Sequence, residues 1–189
     1  CVKAQNAVGT SPCSPASTDT LTPPNAPTIL VTTTSTGLTT ARVDWQDNSL
    51  GETASYLERG NASCAGFAGI ATVAGTPTTG AINTNDSGLS AETKYCYRAR
   101  AERSGTYSPY SSTFVVKTWL PSPTGLTALQ GPGAKKIGLT WTDNSLTENG
   151  FKIERCKAVP LATTCSPNTQ IAVVGAGTTS YLNSGLDAN

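Results

Sequence analysis

The stretch ARVDWQDNSLGETASYLERG at residues 41–60 decides the fold, because a close copy, IGLTWTDNSLTENGFKIERC, returns at residues 137–156. Matched tryptophan, aspartate, glutamate and arginine residues are each separated by 96 positions: Trp45 and Trp141, Asp47 and Asp143, Glu52 and Glu148, Arg59 and Arg155. The segments PTIL and PTGL, which begin at Pro27 and Pro123, keep the same spacing. A fixed period of this length indicates tandem copies of one folding unit.

Each copy has the pattern of short β-strands. The runs ARVDW, IGLTW and YCYRARA alternate apolar and polar residues, and Gly, Pro, Asn, Asp or Ser residues separate such runs. No segment keeps the 3.6-residue apolar period of an amphipathic helix. About seven short strands in each period, with one tryptophan on an early strand, predict an all-β chain of β-sandwiches.

The composition excludes several classes of function. Thirteen basic and twelve acidic residues leave a net charge of +1, whereas a nucleic-acid surface needs a basic stripe. No apolar run reaches the roughly 20 residues of a membrane span. The chain has no histidine, which removes the commonest general base and the commonest metal ligand. We therefore expect no cofactor, and neither nucleic acid nor a membrane span among its interactions.

The six cysteines indicate disulfides. They stand at positions 1, 13, 64, 96, 156 and 165, and none of their spacings has the close C-x₂₋₄-C form of a zinc site. Disulfides require an oxidising compartment, so the cysteine pattern favours an extracellular or cell-surface location.

Further residues bring the chain close to a known family. A Pro-rich start at Pro27, Trp45 on the second strand and the segment LSAETKY from Leu89 to Tyr95 resemble the fibronectin type III domain. The family has proline where this chain has Ala91. The W-x-D-N-S-x-x-E motif resembles sequences of secreted bacterial multi-domain proteins.

The resemblance implies roles for particular residues. Trp45, Trp141, Leu89, Tyr95 and Tyr97 would be structural core residues, and the Tyr95 hydroxyl would bond back to the backbone at a tyrosine corner. Tyr97, Ala99 and Ala101 would face inward on the sixth strand, F, while Cys96, Arg98 and Arg100 would face outward. Glu58-Arg59 and Glu154-Arg155 would be surface ion pairs worth little energy.

The same strand order suggests which cysteines pair, although the connectivity stays open. Strand F neighbours strand C, so Cys64 and Cys96 can meet. Cys1 and Cys13 lie on what would be an F–G hairpin, and Cys156 and Cys165 flank an insertion of about five residues in the second copy. We favour these three local pairings, each of which would act as a staple.

The register predicts three parts. Residues 1–22 resemble strands F and G of a fibronectin type III-like domain, residues 23–119 a complete domain, and residues 120–189 strands A to E of a further one, completed by other chain segments. One interpretation is a window cut from a longer chain of tandem domains. The other is that copies complete one another head to tail through shared strands. Other copies or neighbouring domains are thus the expected partners.

The loops DNSLGE and DNSLTE group oxygen-bearing side chains: Asp47, Asn48, Glu52, Asp143, Asn144 and Glu148. Such a group can hold calcium, but Asx turns account for Asp-Asn-Ser after a strand more simply. We therefore expect no metal site. No pairing of a nucleophile with a base is present, so we also expect no catalytic residue.

The resulting prediction is a non-catalytic extracellular structural or adhesive protein, built of tandem sandwiches and extendable into a surface filament. Short Pro-rich linkers are semi-rigid, and Trp119 beside the second linker is expected to pack across the junction and fix one angle. The alternative is a spacer or weak carbohydrate-binding module of a secreted polysaccharide-degrading enzyme, for which Tyr107 and Tyr110 are the candidate aromatics. A carbohydrate or cell-surface partner fits either prediction.

Overall fold

The prediction of an all-β chain is confirmed. A computed structural model describes residues 1–14, 22–31, 35–133, 135–156 and 169–186, and within these ranges it contains fourteen strands and no helix. None of the described residues therefore belongs to a helix that could cross a bilayer.

The first sandwich consists of two antiparallel sheets. Its strands are β1 (Thr28–Ile29), β2 (Ser35–Thr36), β3 (Thr40–Asp47), β4 (Ala54–Gly60), β5 (Ala68–Ala74), β6 (Gly80–Ser87), β7 (Lys94–Arg103), β8 (Thr106–Tyr107) and β9 (Phe114–Lys117). In one sheet β3 pairs with β1, β2 and β6. In the other the order is β5-β4-β7-β8, and β9 also pairs with β7. Strand β4 thus has a hydrogen-bonded neighbour on both edges.

The strict alternation of apolar residues forms the core between these sheets. Val43 and Trp45 of β3 meet Leu57 of β4 and Tyr97 and Ala99 of β7, and all five are fully buried. Full burial of a large apolar side chain contributes roughly 1.5–3 kcal/mol, so Val43 and Leu57 each stabilise the sandwich by about this amount.

A second group of strands follows Pro123. It comprises β10 (Thr124–Gln130), β11 (Ile137–Thr142), β12 (Gly150–Arg155), β13 (Thr169–Gly175) and β14 (Ser180–Asn183). One sheet has the order β10-β11-β14, and β12 pairs with β13 in the other. Trp141, Phe151 and Ile153 form its core cluster. Strand β12 corresponds to β4, but among the described residues only one of its edges is paired.

The repeated DNS sequence forms the same turn in both sandwiches. Asp47 Oδ1 accepts the N–H of Ser49 at 2.9 Å, and Asp143 Oδ1 accepts the N–H of Ser145 at 2.9 Å. The side-chain amides of the following asparagines donate to the linker carbonyls of Ala26 and Ser122, each at 2.8 Å. The oxygen-bearing side chains therefore fasten the first strand of each sandwich, as expected of Asx turns.

Residues 1–14 form a hairpin with the same hydrogen bonds as the hairpin at residues 98–111. The N–H groups of Val2 and Ala4 donate to the hydroxyls of Ser14 and Ser11, each at 2.9 Å. The equivalent donors, found 97 positions later, are Ala99 and Ala101, which donate to Ser111 and Ser108 at 2.9 Å. In both hairpins, serine hydroxyls bond strand amides that face no regular strand partner.

This use of serine predicts a large effect for a small substitution. Replacing Ser108 with alanine leaves the buried N–H of Ala101 without that acceptor, so we expect the free energy of unfolding to fall by about 1–3 kcal/mol. The exposed Ser112 is the matched control, and Ser112→Ala should change the free energy of unfolding by less than about 0.5 kcal/mol. Urea denaturation of both variants measures the difference. Equal effects would contradict this role for the Ser108 hydroxyl.

Candidate functional site

The structure contains two of the disulfides considered from the sequence. Cys1 is bonded to Cys13 and Cys64 to Cys96, with Cα–Cα distances of 5.4 and 5.2 Å. The first closes the 1–14 hairpin, and the second ties the loop after β4 to the start of β7. Cys165 lies outside the described residues, so its pairing with Cys156 stays a prediction.

The expected core residues lie in the two sandwiches. Trp45 and Tyr97 are fully buried, Leu89 is buried beside them, and Trp141 is 8 % exposed. Tyr95 is half-buried, and its hydroxyl accepts the N–H of Ser90 at 3.0 Å, which is the geometry of a tyrosine corner.

The prediction of a Glu58-Arg59 surface ion pair is wrong, because the two side chains lie on opposite faces of β4. Arg59 donates to both carboxylate oxygens of Asp86, at 2.8 and 2.9 Å. The hydroxyl of Tyr97 donates to the same carboxylate at 2.8 Å. Burial, with this hydrogen bond, raises the pKa of Tyr97 far above its ordinary value, so the phenol stays protonated.

Glu58 instead belongs to a ladder of arginine and aromatic side chains on the outer face of the β5-β4-β7 sheet. The ladder residues are Tyr56, Glu58, Phe67, Arg98, Arg100, Tyr107 and Tyr110. The Arg98 guanidinium lies 4.0 Å from the ring centre of Phe67 and 3.7 Å from that of Tyr110. Arg100 lies 4.0 Å from the ring centre of Tyr107 and 4.9 Å from that of Tyr110.

Glu58 contacts both arginines and one tyrosine of the ladder. Its carboxylate lies 2.7 Å from Arg98 and 3.8 Å from Arg100, and it accepts the Tyr110 hydroxyl at 2.8 Å. Burial alone would raise the pKa of Glu58, but the hydrogen bonds from Arg98 and Tyr110 outweigh burial and lower it. The single negative charge of Glu58 therefore offsets only part of the charge of the two arginines.

The ladder also covers part of the aromatic surface that a sugar would need. Tyr107 is 44 % exposed, but Arg100 covers one of its faces, and Tyr110 is stacked against both arginines. Stacking a sugar on Tyr110 would require removing a cation–π contact worth roughly 0.5–2 kcal/mol. Tyr107 and Tyr110, the candidate sugar-binding aromatics, are thus packed against arginines of the sheet.

The junction between the sandwiches is not formed as expected. The side chain of Trp119 is 63 % exposed, and the expectation that it fixes the junction by packing is not met. Its backbone instead closes the first sandwich, since its N–H donates to Gly37 and its carbonyl accepts from Glu92.

Glu92 makes the contact across the junction. Its carboxylate accepts the N–H of Leu146 at 2.9 Å and the hydroxyl of Ser145, both in the DNSLTE loop. Lys117 adds a hydrogen bond to Thr147 of that loop at 3.1 Å. The hydrogen bond from Ser145 is the main reason that the pKa of Glu92 is lowered. We call Glu92, Lys117 and residues 145–147 the junction clamp.

The chain is similar to solved structures at low sequence identity. No protein-family model and no curated protein matches the chain. Three solved structures that it resembles are entitled a myokine structure, domains A168–A170 of titin, and the sensor domain of the anti-sigma factor RsgI4 of Pseudobacteroides cellulosolvens. Their sequence identities are 19, 16 and 16 %, and their TM-scores 0.39, 0.38 and 0.39. Each match covers 51 % of this chain, and 98, 32 and 95 % of the respective structures.

The contribution of Glu58 to stability should depend on pH. Glu58→Gln removes the charge that Arg98 and Arg100 share, so the free energy of unfolding at neutral pH should fall by about 2 kcal/mol. Because the folded-state pKa of Glu58 is lowered, its contribution is complete above the ordinary glutamate pKa. It is lost as the pH falls through the lowered value.

Denaturation of both proteins from neutral pH into strong acid measures this. The difference between them should close as the pH falls. A difference that is constant across the range would show that Glu58 acts through packing rather than charge.

Proposed function

We propose that the chain is part of a non-catalytic structural or adhesive protein of the extracellular space or cell surface, in which tandem β-sandwiches are held at a fixed angle. The junction clamp is the observation that carries this proposal. One carboxylate with two hydrogen bonds, supported by a lysine, restrains two units that only a short Pro-rich linker connects.

The proposal includes the finer family and domain assignment. We infer fibronectin type III-like units at residues 23–119 and from residue 120 onward, and an F–G hairpin of a third unit within residues 1–22. The strand pairing of the first sandwich, the tyrosine corner and the matched hydrogen bonds of the two hairpins support this assignment.

Disulfides and low charge support the proposed location. Disulfides persist in oxidising compartments, and only 13 % of residues are charged, which suits prolonged exposure without strong electrostatic steering. Two buried carboxylates have structural partners: Asp86 binds Arg59 and Tyr97, and Glu58 binds the ladder arginines. These partners support a non-catalytic role. Assembly of copies into a filament through shared strands also belongs to this proposal.

The carbohydrate-binding alternative has less support. A sugar-binding platform needs free aromatic faces, whereas the Tyr110 ring centre lies 3.7 and 4.9 Å from the guanidinium groups of Arg98 and Arg100. A spacer role within a larger secreted enzyme is compatible with the junction clamp and differs from the main proposal only in its neighbours.

The junction is tested by removing the carboxylate. Glu92→Ala eliminates both hydrogen bonds to the DNSLTE loop, so the two sandwiches should reorient independently. Residual dipolar couplings of amides in β3–β7 and β10–β14 should fit one alignment tensor in the unaltered protein and two in the variant.

The exposed Glu154 provides a matched control, and Glu154→Ala should leave the single tensor unchanged. Lowering the pH through the depressed pKa of Glu92 should also release the junction. A single tensor for Glu92→Ala would contradict the proposed clamp.

A further inference from the structure

Two acidic side chains are buried together at the DNSLGE loop of the first sandwich. Asp47 is fully buried, and Glu52 is 6 % exposed. One oxygen of each accepts a backbone N–H: Asp47 Oδ1 that of Ser49 at 2.9 Å, and Glu52 Oε1 that of Thr76 at 3.0 Å. The other oxygens, Asp47 Oδ2 and Glu52 Oε2, are buried without a hydrogen-bond partner. Each carboxyl group therefore has one oxygen that still needs a donor or a cation.

A single proton between the two groups meets that need. The carboxyl groups lie close enough to form a hydrogen bond with each other. If both were ionised, two buried negative charges would repel each other. One shared proton removes this repulsion and makes a charge-assisted O–H···O hydrogen bond that serves both remaining oxygens.

A metal ion fits this place less well than a proton. Calcium takes six to eight oxygen ligands. Within the ranges that the structure describes, no group of three or more His, Cys, Asp or Glu side chains could hold a metal ion. The Asp47–Glu52 pair offers two carboxyl groups, each already bonded to a backbone N–H.

The surrounding groups separate the two carboxyls in acidity. Burial, together with the Glu52 carboxyl, raises the pKa of Asp47, although the hydrogen bond from Ser49 opposes this. Burial alone would raise the pKa of Glu52, but the hydrogen bond from Asp47 outweighs burial and lowers it. Arg103, at the end of β7, is the cation that acts on Glu52, and it also donates to the Gly51 carbonyl at 3.1 Å. These shifts favour a proton on Asp47 and a negative charge on Glu52.

The turn that begins at Asp47 holds the linker in front of the first sandwich. The side-chain amide of Asn48 donates to the Ala26 carbonyl at 2.8 Å. The hydroxyl of Ser49 donates to the Asn25 carbonyl at 3.0 Å. Both donors directly follow Asp47 in the chain, so a displacement of Asp47 would reach the linker.

We propose that Asp47 and Glu52 share one proton in the folded chain, and that losing this proton releases the linker from the DNSLGE loop. Because the folded-state pKa of Asp47 is raised, the stabilisation is complete at low pH and is lost as the pH rises through the raised value. This inference rests on the proposed rigid array for its biological meaning, since it makes the attachment of a linker depend on pH.

Asp47→Asn tests the shared proton. Asparagine keeps the acceptor for Ser49 and supplies a permanent N–H donor to Glu52. Urea denaturation of the unaltered chain, followed through amide signals of β3 and β4, should show a loss of stability from about pH 4 to about pH 9. The variant should lack this loss. The ratio of the two folding constants should therefore change about tenfold for each unit by which the pKa of Asp47 is raised.

The second sandwich supplies the matched control. Asp143 makes the same turn to Ser145, but Asp143 and Glu148 are only half-buried, so water can solvate their carboxylates. Asp143→Asn should change the pH dependence of the β11 and β12 signals far less. A constant ratio of folding constants for Asp47→Asn across the pH range would overturn the shared proton. Calcium that stabilises the unaltered chain but not Asp47→Asn would overturn it in favour of a metal ion.

The linker is followed separately, through the heteronuclear NOE of the Asn25 and Ala26 amides. This NOE should fall as the pH rises in the unaltered chain and stay constant in Asp47→Asn. A side chain that acts only through packing would not make the mobility of the linker depend on pH. An NOE that is constant in both proteins would overturn release of the linker.

The proposed function and this inference fail separately, because they respond to pH in opposite directions. The lowered pKa of Glu92 releases the junction clamp as the pH falls, whereas the Asp47–Glu52 pair releases its linker as the pH rises. A single alignment tensor that depends on Glu92, with a linker insensitive to rising pH, would keep the rigid array and reject the shared proton. A linker released by rising pH, with sandwiches that reorient independently, would have the opposite meaning.

Discussion

The pairing of a central strand on both edges is the constraint on which this structure depends. Strand β4 satisfies it through β5 and β7, and β7 brings the inward side chains that seal the core over Trp45 and Leu57. Strand β12 carries the same sequence pattern but pairs on one edge within the described residues. Leu139, which stands 96 positions after the fully buried Val43, is only half-buried, as expected from that difference.

The hairpins at residues 1–14 and 98–111 share their backbone hydrogen bonds but differ in the contacts of their outward side chains. Both use serine hydroxyls to bond strand amides, and both keep small or apolar residues on the inward positions. On the outward side, Arg98 stacks on Tyr110 at 3.7 Å. The residues that stand 97 positions earlier are Cys1 and Cys13, which a disulfide joins. A disulfide thus stands in the 1–14 hairpin at the positions that hold a cation–π contact in the 98–111 hairpin.

Alternation and the 96-residue repeat were sufficient to predict the sandwich, since strand period and buried tryptophans follow directly from local sequence. The tyrosine corner was accessible through the segment ending at Tyr95. The ladder was missed in part because Glu58-Arg59 suggests a local pair, whereas strand geometry sends adjacent side chains to opposite faces. The clamp was missed because Glu92 meets Ser145 only after two units have folded. The sequence signal for the clamp was the charged Glu92 in the loop before β7.

Amide hydrogen exchange of β12 compared with β4 tests this account most directly. The β4 amides should be strongly protected, while those β12 amides that point to the edge left unpaired among the described residues should exchange quickly. Equal protection of β12 and β4 would contradict the account, because both edges of β12 would then be paired.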